Sequence, residues 1–150
     1  MSYNPLYVGS MALGSARQTQ TSYTNGTGST MPVGTAVSTN NAGNIVLLDV
    51  TNESTVESWV GLTSQAIPST ALGTVISDGR IPNVNSLGFS VGEPVWVGVS
   101  PGSLTNVKPD LTAPGWASGY FVIFVGVVVQ NEFVNTQQDI QLCRQIIGEL

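Results

Sequence analysis

Histidine is absent from the 150 residues, cysteine occurs once, and charged residues make up only 9% of the chain. Without imidazole, no His-based triad or Cys–His couple forms and the usual zinc ligand sets are lost. Cys143 therefore has no imidazole to activate it, and a lone thiol excludes an intrachain disulfide framework. It reads as a small, half-buried apolar side chain, compatible with a reducing cytoplasm. Cations are as scarce: Arg17, Arg80, Lys108 and Arg144 are the full set, against a net charge of −5. That balance lacks the basic footprint that phosphate backbones require, so nucleic acid is not an expected partner. The longest apolar run, Phe121 to Val129, is about half of what a membrane helix needs. The start, Met1-Ser-Tyr-Asn-Pro-Leu-Tyr, has no basic n-region, so neither a membrane partner nor a secretory segment is expected.

What remains is apolar or neutral. Hydrophobic residues account for 41% of the sequence, so the polar exterior is built from Ser, Thr, Asn, Gln and Gly. Such a surface solvates poorly when isolated, yet loses little when another surface docks on it, because no charge has to be stripped of water. The composition favours assembly over a solitary life. The length suits one domain with a core that needs no staples.

Residues 1–30 carry few aliphatics in any period, and the polar run from Gln18 to Thr30 contains two glycines. This stretch is expected to be an amino-terminal arm, extended or disordered until assembled. Tyr3, Leu6, Tyr7, Val8 and Leu13 are its apolar anchors for an interface, although the same residues could pack back onto their own domain.

From Met31 to Leu150 short apolar runs alternate with turn residues, which predicts a single all-β domain, a compact antiparallel sandwich or barrel. Candidate strands are 35–38, 45–50, 56–63, 73–77, 94–99, 103–107, 120–130 and 139–147. Asn40-Asn-Ala-Gly-Asn and Ser100-Pro-Gly-Ser fit turns between strands, and Asp78-Gly79 fits a tight hairpin before Arg80-Ile81. Val95, Val97 and Val99 alternate with period two. Residues 121–129 are apolar on both faces, which predicts the central strand, with Val127 and Phe124 intolerant of charge. The last segment suits a helix starting near Asn135 or Thr136 as well as a strand; the all-β surroundings select the strand.

Catalytic patterns are sparse, and the chain is not expected to be an enzyme. Asp49, Glu53, Glu57, Asp78, Glu93 and Asp110 are the carboxylates available for a glycosidase pair, but most fall at predicted turns or strand ends. The glycines at 26 and 28 lack a third partner and a following lysine, and Asp49 with Glu53 lacks calcium-loop spacing, so no cofactor and no metal is expected. Asn25-Gly-Thr and Asn52-Glu-Ser match a glycosylation sequon that is frequent by chance. Of the tryptophans, Trp59 reads as core. Trp116, inside Pro114-Gly-Trp-Ala-Ser-Gly, is the surface candidate, with Tyr120 nearby to help it stack on a glycan or a protein partner.

Residues 24–150 resemble a family of small tailed-bacteriophage virion proteins of the head-decoration and head- or tail-fibre type. The resemblance is carried by Thr24-Asn-Gly-Thr-Gly-Ser-Thr-Met-Pro-Val-Gly-Thr-Ala-Val, Ala42-Gly-Asn-Ile-Val-Leu-Leu-Asp-Val, Trp59-Val-Gly-Leu-Thr and Gly79-Arg-Ile-Pro-Asn. Its most distinctive part is Phe89-Ser-Val-Gly-Glu-Pro-Val-Trp-Val with Gly102-Ser-Leu-Thr-Asn-Val-Lys-Pro, and Phe124-Val-Gly-Val-Val-Val-Gln closes it. These are packing and turn signatures. The resemblance implies a barrel or tulip-like domain, a homotrimer with an extended arm, made in the host bacterial cytoplasm and carried on the virion. The implied partners are other copies and a major capsid, neck or tail protein; a host-glycan-binding fibre module is the alternative. It assigns no active-site residue.

Overall fold

A computed structural model of the chain describes residues 18–150, so the expected anchors Tyr3, Leu6, Tyr7, Val8 and Leu13 lie outside the described residues. Ten strands form two five-stranded antiparallel sheets. The first sheet holds β1 (Thr19–Thr24), β2 (Ala36–Thr39), β3 (Ile45–Leu47), β4 (Trp59–Thr63) and β5 (Leu72–Asp78), in the order β1-β5-β4-β2-β3. The second holds β6 (Arg80–Ile81), β7 (Pro94–Val97), β8 (Leu104–Thr105), β9 (Phe121–Gln130) and β10 (Gln138–Glu149), in the order β6-β10-β9-β7-β8. The sheets face one another as an open sandwich and do not close into a barrel. Each is built almost entirely from one half of the chain.

The core lies between the sheets. Leu62 and Ile76 of the first sheet pack with Val95, Val97, Ile123, Val125, Val128 and Ile140 of the second, all within about 1% of full burial. Fully burying each such side chain contributes roughly 1.5–3 kcal/mol. A smaller cluster of Met31, Val37, Ile45, Ile67 and Val75 sits on the outer face of the first sheet. It is covered by loops that bridge at Met31 and Ile67. Two glycines allow the strands to approach: a Cβ on Gly61 would meet the Ile76 carbonyl oxygen, and one on Gly126 the Gln141 carbonyl oxygen.

Several expectations hold. β9 is the middle strand of its sheet, and the last segment is a strand along its whole length. The 40–44 turn closes the β2–β3 hairpin, with Gly43 at φ 80° and the Asn40 side chain accepting from the Ala42 and Asn44 amides. Ser100 to Ser103 closes the β7–β8 hairpin.

Four others are corrected. Asp78-Gly79 is no hairpin, because β5 and β6 belong to different sheets: at Gly79, φ 97°, the chain crosses from one layer to the other. A positive-φ glycine serves a crossing as well as a tight turn. The expected 56–63 strand begins only at Trp59, because its first two residues, Val56 and Glu57, close a short helix, α1 (Glu53–Glu57). Asn52 starts it by accepting from the Ser54 amide, so the sequon residue is a helix N-cap. The boundary expected at residue 30 does not mark the start of the sheet, since Thr19–Thr24 is already paired with β5 along its length. Val127 is 36% exposed, because the outer face of an antiparallel sheet need not be covered. Phe124, by contrast, is half-buried and meets Trp96 edge-to-face with centroids 5.0 Å apart.

The two faces of β9 therefore respond differently to substitution. Ile123→Ala should lower unfolding free energy by about 2–5 kcal/mol, whereas Val127→Asp should lower it by about 1 kcal/mol or less. Urea denaturation of the two variants beside the parent chain measures this difference.

Candidate assembly surface

The chain's loops carry the residues from which an interface can be built. Trp116 and Tyr120 lie where the sequence placed them, in the segment leading to β9, and the structure brings them together at 6.2 Å between ring centroids. Both are half-buried and pack against the main core. Asp110 organises the turn that leads to them, since its Oδ1 accepts from the Thr112 amide and hydroxyl and from the Ala113 amide. The Ala113 carbonyl then accepts from the Trp116 amide at 3.2 Å. These hydrogen bonds, the Thr112 hydroxyl first, hold the exposed Asp110 carboxyl below its ordinary pKa of 3.8.

Sequence reasoning passed over a second apolar feature. The β9–β10 turn presents Phe133 and Val134, 64% and 46% exposed, at the same end of the second sheet as exposed Val91. The turn is braced from behind. Asn131 Oδ1 accepts from both the Phe133 and Val134 amides at 2.9 Å, while its Nδ2 donates to Asp139 Oδ2 at 2.9 Å. Asp139, itself buried, also accepts from the Asn83 amide and the Gln137 side chain. Arg80 stands 3.8 Å from Asp139 and 3.3 Å from Glu132. Apolar residues in a turn between two strands were the available signal, and turn prediction discounts them because most turns are polar. Val107 and Leu111 are similarly exposed, in the loop that carries Trp116.

Arg144 is committed internally. Its Nη1 donates to the Trp59 carbonyl at 3.0 Å, and its guanidinium lies 5.0 Å from the centre of the Trp59 ring, tying the second sheet to the first. Burial lowers its pKa from the ordinary value, and Asp78 opposes that shift. Trp59 is buried, as its sequence context implied.

The sheet edges differ sharply. β3 is three residues long; Asn25 bridges to Ile45, and Gly26 donates to the Ile45 carbonyl. β6 and β8 are two residues each. β10 is paired with β6 only at Ile140 and Gln141, but its free part carries two bulges and the charges of Arg144 and Glu149. β1 is six residues, Thr-Gln-Thr-Ser-Tyr-Thr, with no charge, proline or glycine. Its residues 19–22 are all exposed, and among the described residues nothing pairs with its outer side.

The best-formed surface clefts among the described residues offer little chemistry. One of about 250 Å³ is lined by hydroxyl and apolar groups including Thr27, Thr35, Met31 and Leu47. Another, of about 240 Å³ beside Arg144, contains Glu57 as its lone carboxylate, and the remaining two contain none. Among the described residues there is no cluster of three or more His, Cys, Asp or Glu able to hold a metal ion. No protein-family model matches the chain, and no curated protein matches it in sequence.

The Asp110 turn yields a pH prediction. A carboxyl with a lowered folded-state pKa contributes stability that is complete above its unfolded value and is lost as pH falls through the folded value. Acidification below pH 3.8 should therefore loosen the loop around Trp116. Tryptophan fluorescence should show this acid-side step in the parent chain and a smaller one in Asp110→Asn.

Proposed function

We propose that the chain is a structural subunit of a tailed-bacteriophage virion, decorating or cementing the capsid or forming the base of a fibre, through self-association and docking on the particle. The observation that carries this reading is the braced Phe133–Val134 turn. Two apolar side chains are held out in water by a turn whose Phe133 and Val134 amides donate to the buried Asn131, which in turn donates to the buried Asp139. An ordered apolar knob of this kind fits a protein surface that covers it. The scarcity of charge supports the same conclusion, because uncharged surface desolvates readily.

The virion assignment itself rests on the resemblance of the packing and turn signatures between residues 24 and 150. Other copies of the chain and a capsid, neck or tail protein are the partners it implies, with neither nucleic acid nor membrane. The glycan-binding alternative has weaker support, since Trp116 and Tyr120 give part of their ring surface to the chain's own core.

The test joins solution mass to particle content. Sedimentation of the purified chain should show concentration-dependent self-association, and an antibody against it should label intact particles. Phe133→Asp combined with Val134→Asp should reduce incorporation into particles at least tenfold while leaving the circular dichroism spectrum unchanged. A chain that remains monomeric at high concentration and is absent from particles contradicts the proposal.

A further inference from the structure

Among the described residues, β1 differs from the other free edges: it is not short, carries no charge or proline and has no covering loop, and its single register shift lies at its first residue. A strand edge presents a row of unpaired amide and carbonyl groups, and folded proteins blunt it with short length, charge, proline, bulges or a covering loop. Here β6 and β8 are short, β3 is covered, and the free part of β10 is interrupted by two bulges. β1 runs six residues, and its one register shift lies between Thr19 and Gln20, leaving Gln20 to Thr24 in regular register with β5.

From this contrast we infer that the outer edge of β1 is where a second copy of the chain attaches, β1 against β1 in antiparallel register about a two-fold axis. The first sheets of two molecules then merge into one ten-stranded sheet. The inference rests on the self-associating role proposed above and names its surface.

The chemistry of the strand identifies the occupant. Antiparallel addition of a strand to itself sets Thr, Gln, Ser and Tyr beside the same residue types, pairs that gain cross-strand hydrogen bonds and leave no charge unmatched. A charged partner strand would place its charges against neutral hydroxyls and amides with nothing to compensate them. The position of the edge agrees: β1 lies on the side of the sandwich where the chain crosses between layers, with the Gln18 side chain donating to the Arg80 carbonyl at 2.7 Å. The covered β3 edge closes the opposite side of the same sheet. A two-fold contact yields a dimer, in contrast with the trimer that the resemblance implies.

The test uses the full chain. Gln20 and Ser22 are exposed, and Gln20→Lys with Ser22→Lys would line four like charges along the joint while leaving pairing to β5 in place. The parent should sediment as a dimer, and its Thr19–Thr24 amides should gain protection from hydrogen exchange as concentration rises. The doubly substituted chain should stay monomeric at the same concentrations, with its thermal midpoint as a monomer unchanged. If the parent forms trimers, or if the substituted chain dimerises as well as the parent, the β1 pairing is wrong and the broader assembly role survives. Protection of these amides that is independent of concentration would mean that the edge is covered within one molecule, which also overturns the pairing. A parent that is monomeric throughout removes both the pairing and the role.

Discussion

The burial of two apolar sheet faces against each other is the constraint from which the rest of this structure follows. Neither half of the chain can cover its own hydrophobic surface: Leu62 and Ile76 in one layer need Ile123, Val125 and Val128 in the other. That mutual need makes the crossing at Gly79 the hinge of the topology. It also makes close strand approach at Gly61 and Gly126 a condition of the core, because backbone of the adjacent strand occupies the place of a side chain there. Arg144 completes the seam by reaching from β10 to the carbonyl and ring of Trp59.

The same core explains the character of the surface. Of the three described cations, Arg80 is engaged with Glu132 and Asp139, and Arg144 with Trp59, so Lys108 alone is left without a structural task. Positive charge is therefore used to hold the fold together, and little is left to steer a partner from a distance. Contact with other molecules falls to hydroxyls, amides and apolar turns. The braced Phe133–Val134 turn and the outer edge of β1, unpaired among the described residues, are two places where that resource is ordered and exposed.

The architecture was legible in the sequence wherever burial left a period. The alternation at Val95 and Val97, the apolar run of β9 and the turns at 40–44 and 100–103 led to the right elements, whereas Asp78-Gly79 marked a crossing and no hairpin. Elements without burial left no such mark. β1 is exposed at four of its six residues, so its Thr-Gln-Thr-Ser-Tyr-Thr run reads as solvated arm although it is a paired strand. The helix at Glu53–Glu57 is held by local side-chain hydrogen bonds of Asn52, Thr55 and Ser58, and Val56 alone is buried, which leaves no periodicity to detect. Val127 shows that apolar character on both faces of a strand identifies its place in the sheet without identifying which face is covered. The apolar tip at Phe133 was hidden by the ordinary rule that turns are polar.

If uncharged surface joins the copies, the strength of association should be almost indifferent to ionic strength, since screening acts only between charges. Sedimentation equilibrium of the purified chain from low salt to about 1 M sodium chloride, where the screening length falls to about 3 Å, measures this directly. The dissociation constant should change by less than about threefold, because one 1.4 kcal/mol step would already be tenfold. A tenfold or greater weakening across that range would show that charge pairs hold the assembly, and would contradict the account.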